Sequence, residues 1–167
     1  RSSSRAARSR LDYARCPLST GRGVPLVWLD GSLRERAEAT VSIDDLGFLY
    51  GAACFETMHA FGGTVFRLQR HLDRLEAGLG ALGVRSPERV DLEAALAATL
   101  EANALRDARI RLTVSAGRGV GRPDVSAASA PTVLVVAEAP PPDPEPARLV
   151  VVSQRVDPAR ALASAKT

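Results

Sequence analysis

Residues Cys54–Leu82 read CFETMHAFGGTVFRLQRHLDRLEAGLGAL, and a change of period inside them decides the fold. Cys54 to Phe61 is β-like, Gly62-Gly63 breaks it and Thr64–Leu68 resumes it, which predicts a hairpin on a two-glycine turn. Leu68, Leu72, Leu75, Leu79 and Leu82 then recur at steps of four and three, the single stripe of an amphipathic helix. Gly83 follows as its C-cap.

The pattern extends in both directions. Upstream, Leu26-Val27-Trp28-Leu29 is a short apolar run, Asp30-Gly31 a hairpin turn and Leu33–Glu35 a second strand. Thr40–Ile43 alternates and is expected to be a further strand end, with Asp44–Gly51 a loop. Downstream, Ser86-Pro87 is expected to open a second helix, Ser as N-cap and Pro in the first turn. Leu92, Leu96 and Leu100 line its buried face, with Ala95 and Ala98 beside them. Arg109–Ser115 alternates strictly as a half-buried strand, Gly117–Gly121 is a flexible loop and Thr132–Ala137 a continuous apolar, central strand. The sum is an α+β fold: an antiparallel-rich sheet with two helices on one side. Five prolines in Ala139–Pro146 form a stiff linker, after which Arg148–Val156 reads as one more strand. The expected organisation is a disordered basic leader over 1–24, an N-terminal α+β domain over 25–139, a linker over 140–146 and the incomplete start of a second domain over 147–167.

The chain has 167 residues, 46% of them hydrophobic and 25% charged, enough apolar content for a core. Its net charge of +3 is unevenly spread. Residues 1–24 hold six Arg against Asp12, a net of +5, which leaves the other residues at −2. The basic character belongs to an arm, so the body is not expected to bind nucleic acid. The arm reads as an unstructured extension or an organelle transit peptide. No run of about 18 apolar residues exists to span a membrane as a helix. Cys16 and Cys54 lack metal-type spacing, and a reducing compartment is expected, the cytoplasm or, if residues 1–24 are a transit peptide, alternatively an organelle. His59 and His71 are too few for a His-based metal site. The chain opens on Arg1 rather than Met, so a fragment, a processed form or a conceptual translation is expected.

Of the 22 basic side chains, Lys166 is the single lysine. A lysine amine becomes a Schiff-base nucleophile when its surroundings favour the neutral form. A solvated tail lysine is the other reading. His71 and Arg74, three apart, share one flank of the first helix, where Arg74 can grip a phosphate or pair with Asp73 or Glu76 at the surface. Gly117–Arg122 could wrap an anion with backbone N–H groups, although it matches neither a Walker loop nor a dinucleotide fingerprint. Asp44-Asp45 reads as turn chemistry.

Asp45-Leu46-Gly47-Phe48-Leu49-Tyr50-Gly51 with Phe55-Glu56-Thr57 resembles the D-x-G-F-x-Y-G-x-x-x-F-E-T signature of class-IV aminotransferases, the fold-type IV pyridoxal-phosphate (PLP) enzymes. Phe66–Leu75 is similar to the family's F-x-L-x-x-H-L-x-R-L helix, Arg109–Leu112 to its next strand and Ala165-Lys166-Thr167 to its K-T site. The resemblance implies that Lys166 forms the Schiff base with PLP and that Arg74 binds the cofactor phosphate. It implies that Tyr50 and Phe55 line the substrate side, that Arg118 or Arg122 holds a substrate carboxylate and that Glu56 is structural. It further implies a homodimer acting on an amino acid and a 2-oxo acid, or alternatively a 4-amino-4-deoxychorismate lyase that releases pyruvate. Ala52-Ala53, His59 and Ala116 depart from the usual family residues. Family members run to roughly twice this core, so a non-catalytic fragment or basic-armed binding module is the rival from another class.

Overall fold

The computed structural model describes residues 24–119, 122, 124–142, 147, 149–150 and 153. Its strands are β1 (Leu26–Leu29), β2 (Ser32–Glu35), β3 (Ala53–Phe61), β4 (Thr64–Val65), β5 (Ala108–Ser115) and β6 (Thr132–Glu138). Its helices are α1 (Leu46–Tyr50), α2 (Leu68–Ala81) and α3 (Arg89–Ala102), with one 3-10 turn at Val125–Ala127. The strands form one antiparallel six-stranded sheet in the order β2-β1-β6-β5-β3-β4. The apolar run at 132–138 is therefore central, as its continuous hydrophobicity requires.

Alternation sets the core. Cys54, Glu56, Met58 and Ala60 of β3 are buried, and so are Ala108, Ile110, Leu112 and Val114 of β5. In register, Glu56 faces Leu112, which faces Val135 of β6, which faces Trp28 of β1. Leu72, Leu75 and Leu79 of α2 and Leu92, Leu96 and Leu100 of α3 join the same cluster. α2 lies against β3, and α3 against β1 and β6. At about 25 cal/mol per Å², each fully buried leucine contributes about 2 kcal/mol, so the two helix stripes are a major share of the layer's stability beside the inward faces of β3, β5 and β6.

Three local expectations are corrected. Thr40–Ile43 is not a strand: Val41 and Ile43 are exposed, and no pairing among the described residues covers them. Alternation without a neighbouring edge does not make a strand. Asp44–Gly51 is not a loop throughout, because Leu46–Tyr50 is a short helix with Asp45 as N-cap and Gly51 at φ 71 as C-cap. The second long helix starts at Arg89 rather than at Ser86-Pro87. Ser86 Oγ donates to the Pro87 carbonyl (3.3 Å) and caps nothing, and Glu88 occupies the N-cap without a side-chain bond. The hairpin turns follow the sequence: Asp30 and Gly31 (φ 46 and 90), and Gly62 and Gly63 (φ 59 and 88), all take the left-handed backbone. The strand expected at Arg148–Val156 and the leader fall largely or wholly outside the described residues, as do most of residues 147–167.

Candidate active site

The signature turn is built on Asp45, which is 1% exposed. Its Oδ1 accepts the N–H groups of Gly47 (2.8 Å) and Phe48 (3.2 Å), the N-cap of α1. Its Oδ2 accepts the Ser115 hydroxyl (2.7 Å), and Ser115 Oγ accepts the Gly117 N–H (3.2 Å). One carboxylate thus ties the start of α1 to the end of β5. Gly47 is required by this packing, because a Cβ there would stand 2.6 Å from Ser115 Cβ. Tyr50 ends α1 with half its surface exposed, and Gly51 turns the chain into β3.

Adjacent β3 residues point to opposite faces of the sheet. Phe55 faces away from the helices, and the Arg111 guanidinium carbon lies 3.7 Å from its ring centroid, a close cation–π contact. The sequence reading does not single out Arg111; strict alternation along β5 is the signal that places it on this outer face. His59, farther along the same face, is exposed and stacks on Phe61.

Glu56 faces the helices and is 0% exposed. A buried carboxylate without partners is costly, and this one is engaged by two residues of α2. Arg74 Nε donates to Glu56 Oε1 (2.6 Å) and Arg74 Nη2 donates to Oε2. His71 Nδ1 lies 2.7 Å from Oε2. A carboxylate only accepts, so Nδ1 carries the proton, and the 3.3 Å approach of Arg74 Nη2 to Nδ1 is a contact rather than a bond. The hydrogen bonds that Arg74 donates to Glu56 hold its guanidinium above its usual pKa. Arg74 does not pair with Asp73 or Glu76, which bind Arg89 of α3 instead (2.7 and 2.6 Å). Its side chain remains 49% exposed, and Nη1 makes no hydrogen bond among the described residues. Glu56 is the residue the sequence reading undervalued. Its position between Cys54 and Met58 on an inward-facing strand parity already calls for a cation or hydrogen-bond donors at its carboxylate.

The glycine-rich loop differs from the expected anion wrap. The N–H of Gly117 is used by Ser115, that of Arg118 donates to Ser129 Oγ (3.0 Å) and that of Gly119 to the Asp44 carbonyl (3.0 Å). Over these residues the loop is pinned, not flexible, and it offers side chains rather than backbone donors. A Cβ at Gly119 would lie 2.3 Å from Leu46 Cδ2, so the loop sits directly on α1. Arg118 is exposed, 4.0 Å from Asp44 Oδ2. Arg122 is exposed and helps to hold the Asp124 carboxyl below its usual pKa, after the larger effect of the Ser126 hydrogen bonds. Tyr50 ends α1, Phe55 lies on β3 and Arg118 follows β5, where its backbone bridges Asp45 ahead of α1, and Arg74 joins β3 through Glu56. Lys166 lies outside the described residues. Among the described residues, no group of three or more His, Cys, Asp or Glu side chains could hold a metal ion, and no helix is long and apolar enough to cross a membrane.

Comparison with known proteins agrees with this geometry. The family model described as amino-transferase class IV matches residues 53–167. A Methanocaldococcus jannaschii protein whose name includes "branched-chain-amino-acid aminotransferase" is 37% identical over 120 residues, covering 70% of this chain and 41% of the relative. The aminodeoxychorismate lyase of Bacillus subtilis is 35% identical over 95 residues, covering 55% and 32%. Among solved structures, 4-amino-4-deoxychorismate lyase from Pseudomonas aeruginosa matches with a TM-score of 0.57 and 33% identity, over 71% of this chain and 42% of that one. A T.th. branched-chain amino acid aminotransferase with pyridoxamine 5'-phosphate shares the fold at a TM-score of 0.64 and 23% identity, over 72% and 42%. The chain thus spans about two fifths of the length of these structures and of the Methanocaldococcus relative. With the α+β architecture, the capped signature turn and a family match over well more than half its length, the chain belongs to the class-IV aminotransferase family.

Proposed function

We propose that this chain supplies the N-terminal domain (25–139) and, beyond the 140–146 linker, the start of the second domain (147–167) with the catalytic lysine, Lys166, of a PLP-dependent class-IV aminotransferase. The observation that carries the reading is the Arg74–Glu56 pair: a half-exposed guanidinium held on a buried carboxylate, with Nη1 unbonded among the described residues. That donor set fits a phosphate-bearing cofactor. When bound, PLP accepts the electron pair released as a bond at the substrate α-carbon breaks. Arg74 would hold its phosphate. Lys166, assigned by its motif alone, would anchor it covalently and move the substrate α-proton, first as base and then as acid. Phe55 and Tyr50 would wall the substrate side, and Arg118 or Arg122 would meet a substrate carboxylate. Exposed Ile43, Phe48 and Leu49 support a covering partner, and a second copy of the protein is the partner we propose.

The lyase reading stays beside it because the similarity reaches 35% to one lyase and 33% to another. The test runs the protein on amino-acid/2-oxo-acid pairs and, separately, on aminodeoxychorismate. Amino transfer supports the main reading; pyruvate release without an amino acceptor replaces it with the lyase. A borohydride-reducible PLP adduct that persists in Lys166→Ala would remove Lys166 from its role.

A further inference from the structure

We infer that Glu56 is a positioning residue that fixes which edge of Arg74 meets the phosphate, an inference that rests on the phosphate reading of Arg74 above. A guanidinium can bind an oxyanion through its Nε/Nη2 edge or through its Nη1/Nη2 edge. Glu56 occupies the first, with Nε on Oε1 at 2.6 Å and Nη2 on Oε2. Among the described residues, only the distal edge, with Nη1, remains for an external anion. The carboxylate cannot swing to release Arg74, because it is fully buried on β3 and also held by His71 Nδ1 at 2.7 Å. Arg74 otherwise carries a long, rotamer-rich side chain, and the clamp removes that freedom before any ligand arrives.

Charge and geometry make opposite demands here. A carboxylate beside Arg74 lowers the net positive charge that a phosphate meets. If attraction alone mattered, neutralising Glu56 would strengthen phosphate binding. If orientation matters, the same change weakens binding, because an amide accepts from one guanidinium N–H and turns its own donors toward the other. The sign of the effect therefore separates positioning from bulk electrostatics.

The experiment measures PLP and pyridoxal binding by absorbance titration in the protein and takes the ratio of the two affinities, which isolates the phosphate contribution. Glu56→Gln is expected to lower that ratio about tenfold or more, with pyridoxal binding little changed. In the Arg74→Ala background it should lower the ratio no further, since Glu56 acts through Arg74. An unchanged or raised ratio in Glu56→Gln overturns the inference, as does an additive effect in the double variant. Arg74→Ala alone tests the underlying reading: an unchanged ratio there removes Arg74 from the phosphate, whatever Glu56 does. Should Glu56→Gln fail to fold, Glu56→Asp keeps the buried charge but draws the oxygens back by one methylene. It must lower the ratio too, and an unchanged ratio in that variant equally overturns the inference.

Discussion

Replacing Asp45 by alanine should cost about 2–4 kcal/mol of stability, and the sum can be worked from its bonds. The N-cap of α1 loses the acceptor for the Gly47 and Phe48 N–H groups at 2.8 and 3.2 Å, and losing such a cap costs about 1 kcal/mol. The Ser115 hydroxyl, on a residue 6% exposed, loses its acceptor at 2.7 Å, and an orphaned buried donor costs about 1–3 kcal/mol. Asp45→Asn should cost less, about 1 kcal/mol, because the amide oxygen can still cap the helix while its NH₂ faces Ser115. Ser115→Ala removes the same contact from the other side and also strands the Gly117 N–H. The double variant should therefore be less destabilised than the sum of the singles, by about 1 kcal/mol or more. Urea unfolding with a constant m-value reads the wild type and all four variants. A loss below about 0.5 kcal/mol for Asp45→Ala, or plain additivity in the double variant, would refute the claim that one carboxylate joins α1 to β5.

Other outcomes follow from the same contacts. Gly47→Ala should cost about 1–3 kcal/mol in the same assay, since its Cβ would meet Ser115 Cβ at 2.6 Å; a neutral effect would show that the turn is looser than described. Cys54 is buried, and burial first and then Glu56 raise its thiol pKa, so maleimide at pH 7.5 should label it only after denaturation; labelling of Cys54 in the folded protein contradicts this. Glu138 is held below its usual pKa by the Arg36 hydrogen bond (2.6 Å), offset in part by burial and aided by Arg109. A depressed carboxylate pKa stabilises above the unfolded value and loses that contribution as pH falls through the folded one. Arg36→Ala should thus cost about 0.5–1 kcal/mol at pH 7, where the 44% exposed Arg36 is screened, and nothing once pH falls well below the ordinary carboxylate value of 4.5; a cost independent of pH would show that packing, not charge, is lost.

What was legible in the sequence divides along a physical line. The strand at 108–115 and the helix at 68–81 announce themselves because their burial follows their own period, and the strands at 26–29 and 132–138 because each is a short apolar run, all read over a single segment. The turns at Asp30-Gly31 and Gly62-Gly63 are legible for the same reason: the backbone conformation is a property of the two residues that adopt it. Thr40–Ile43 fails because a strand needs a partner edge, which no local pattern contains. The loop at 117–119 fails likewise. Its N–H groups could face an anion as far as the sequence shows, but Ser115, Ser129 and Asp44 consume them from three different places in the chain.

The site divides in the same way, and Glu56 shows where the boundary falls. Alternation between Cys54 and Met58 already places its carboxylate inside, and a buried charge requires a partner. Which cation answers is undetermined locally, because Arg67, Arg70 and Arg74 all lie on or beside the helix that follows. The structure selects Arg74, one turn beyond His71 on the flank that meets β3, while Arg67 is turned onto the Phe66 ring. The two motif blocks that carry the family resemblance, F-E-T and H-L-x-R-L, are therefore one physical unit: the strand supplies the carboxylate and the helix supplies the two side chains that clamp it. A substitution in either block acts on the other through Glu56, so neither block should tolerate change without consequences for the edge of Arg74 that faces outward.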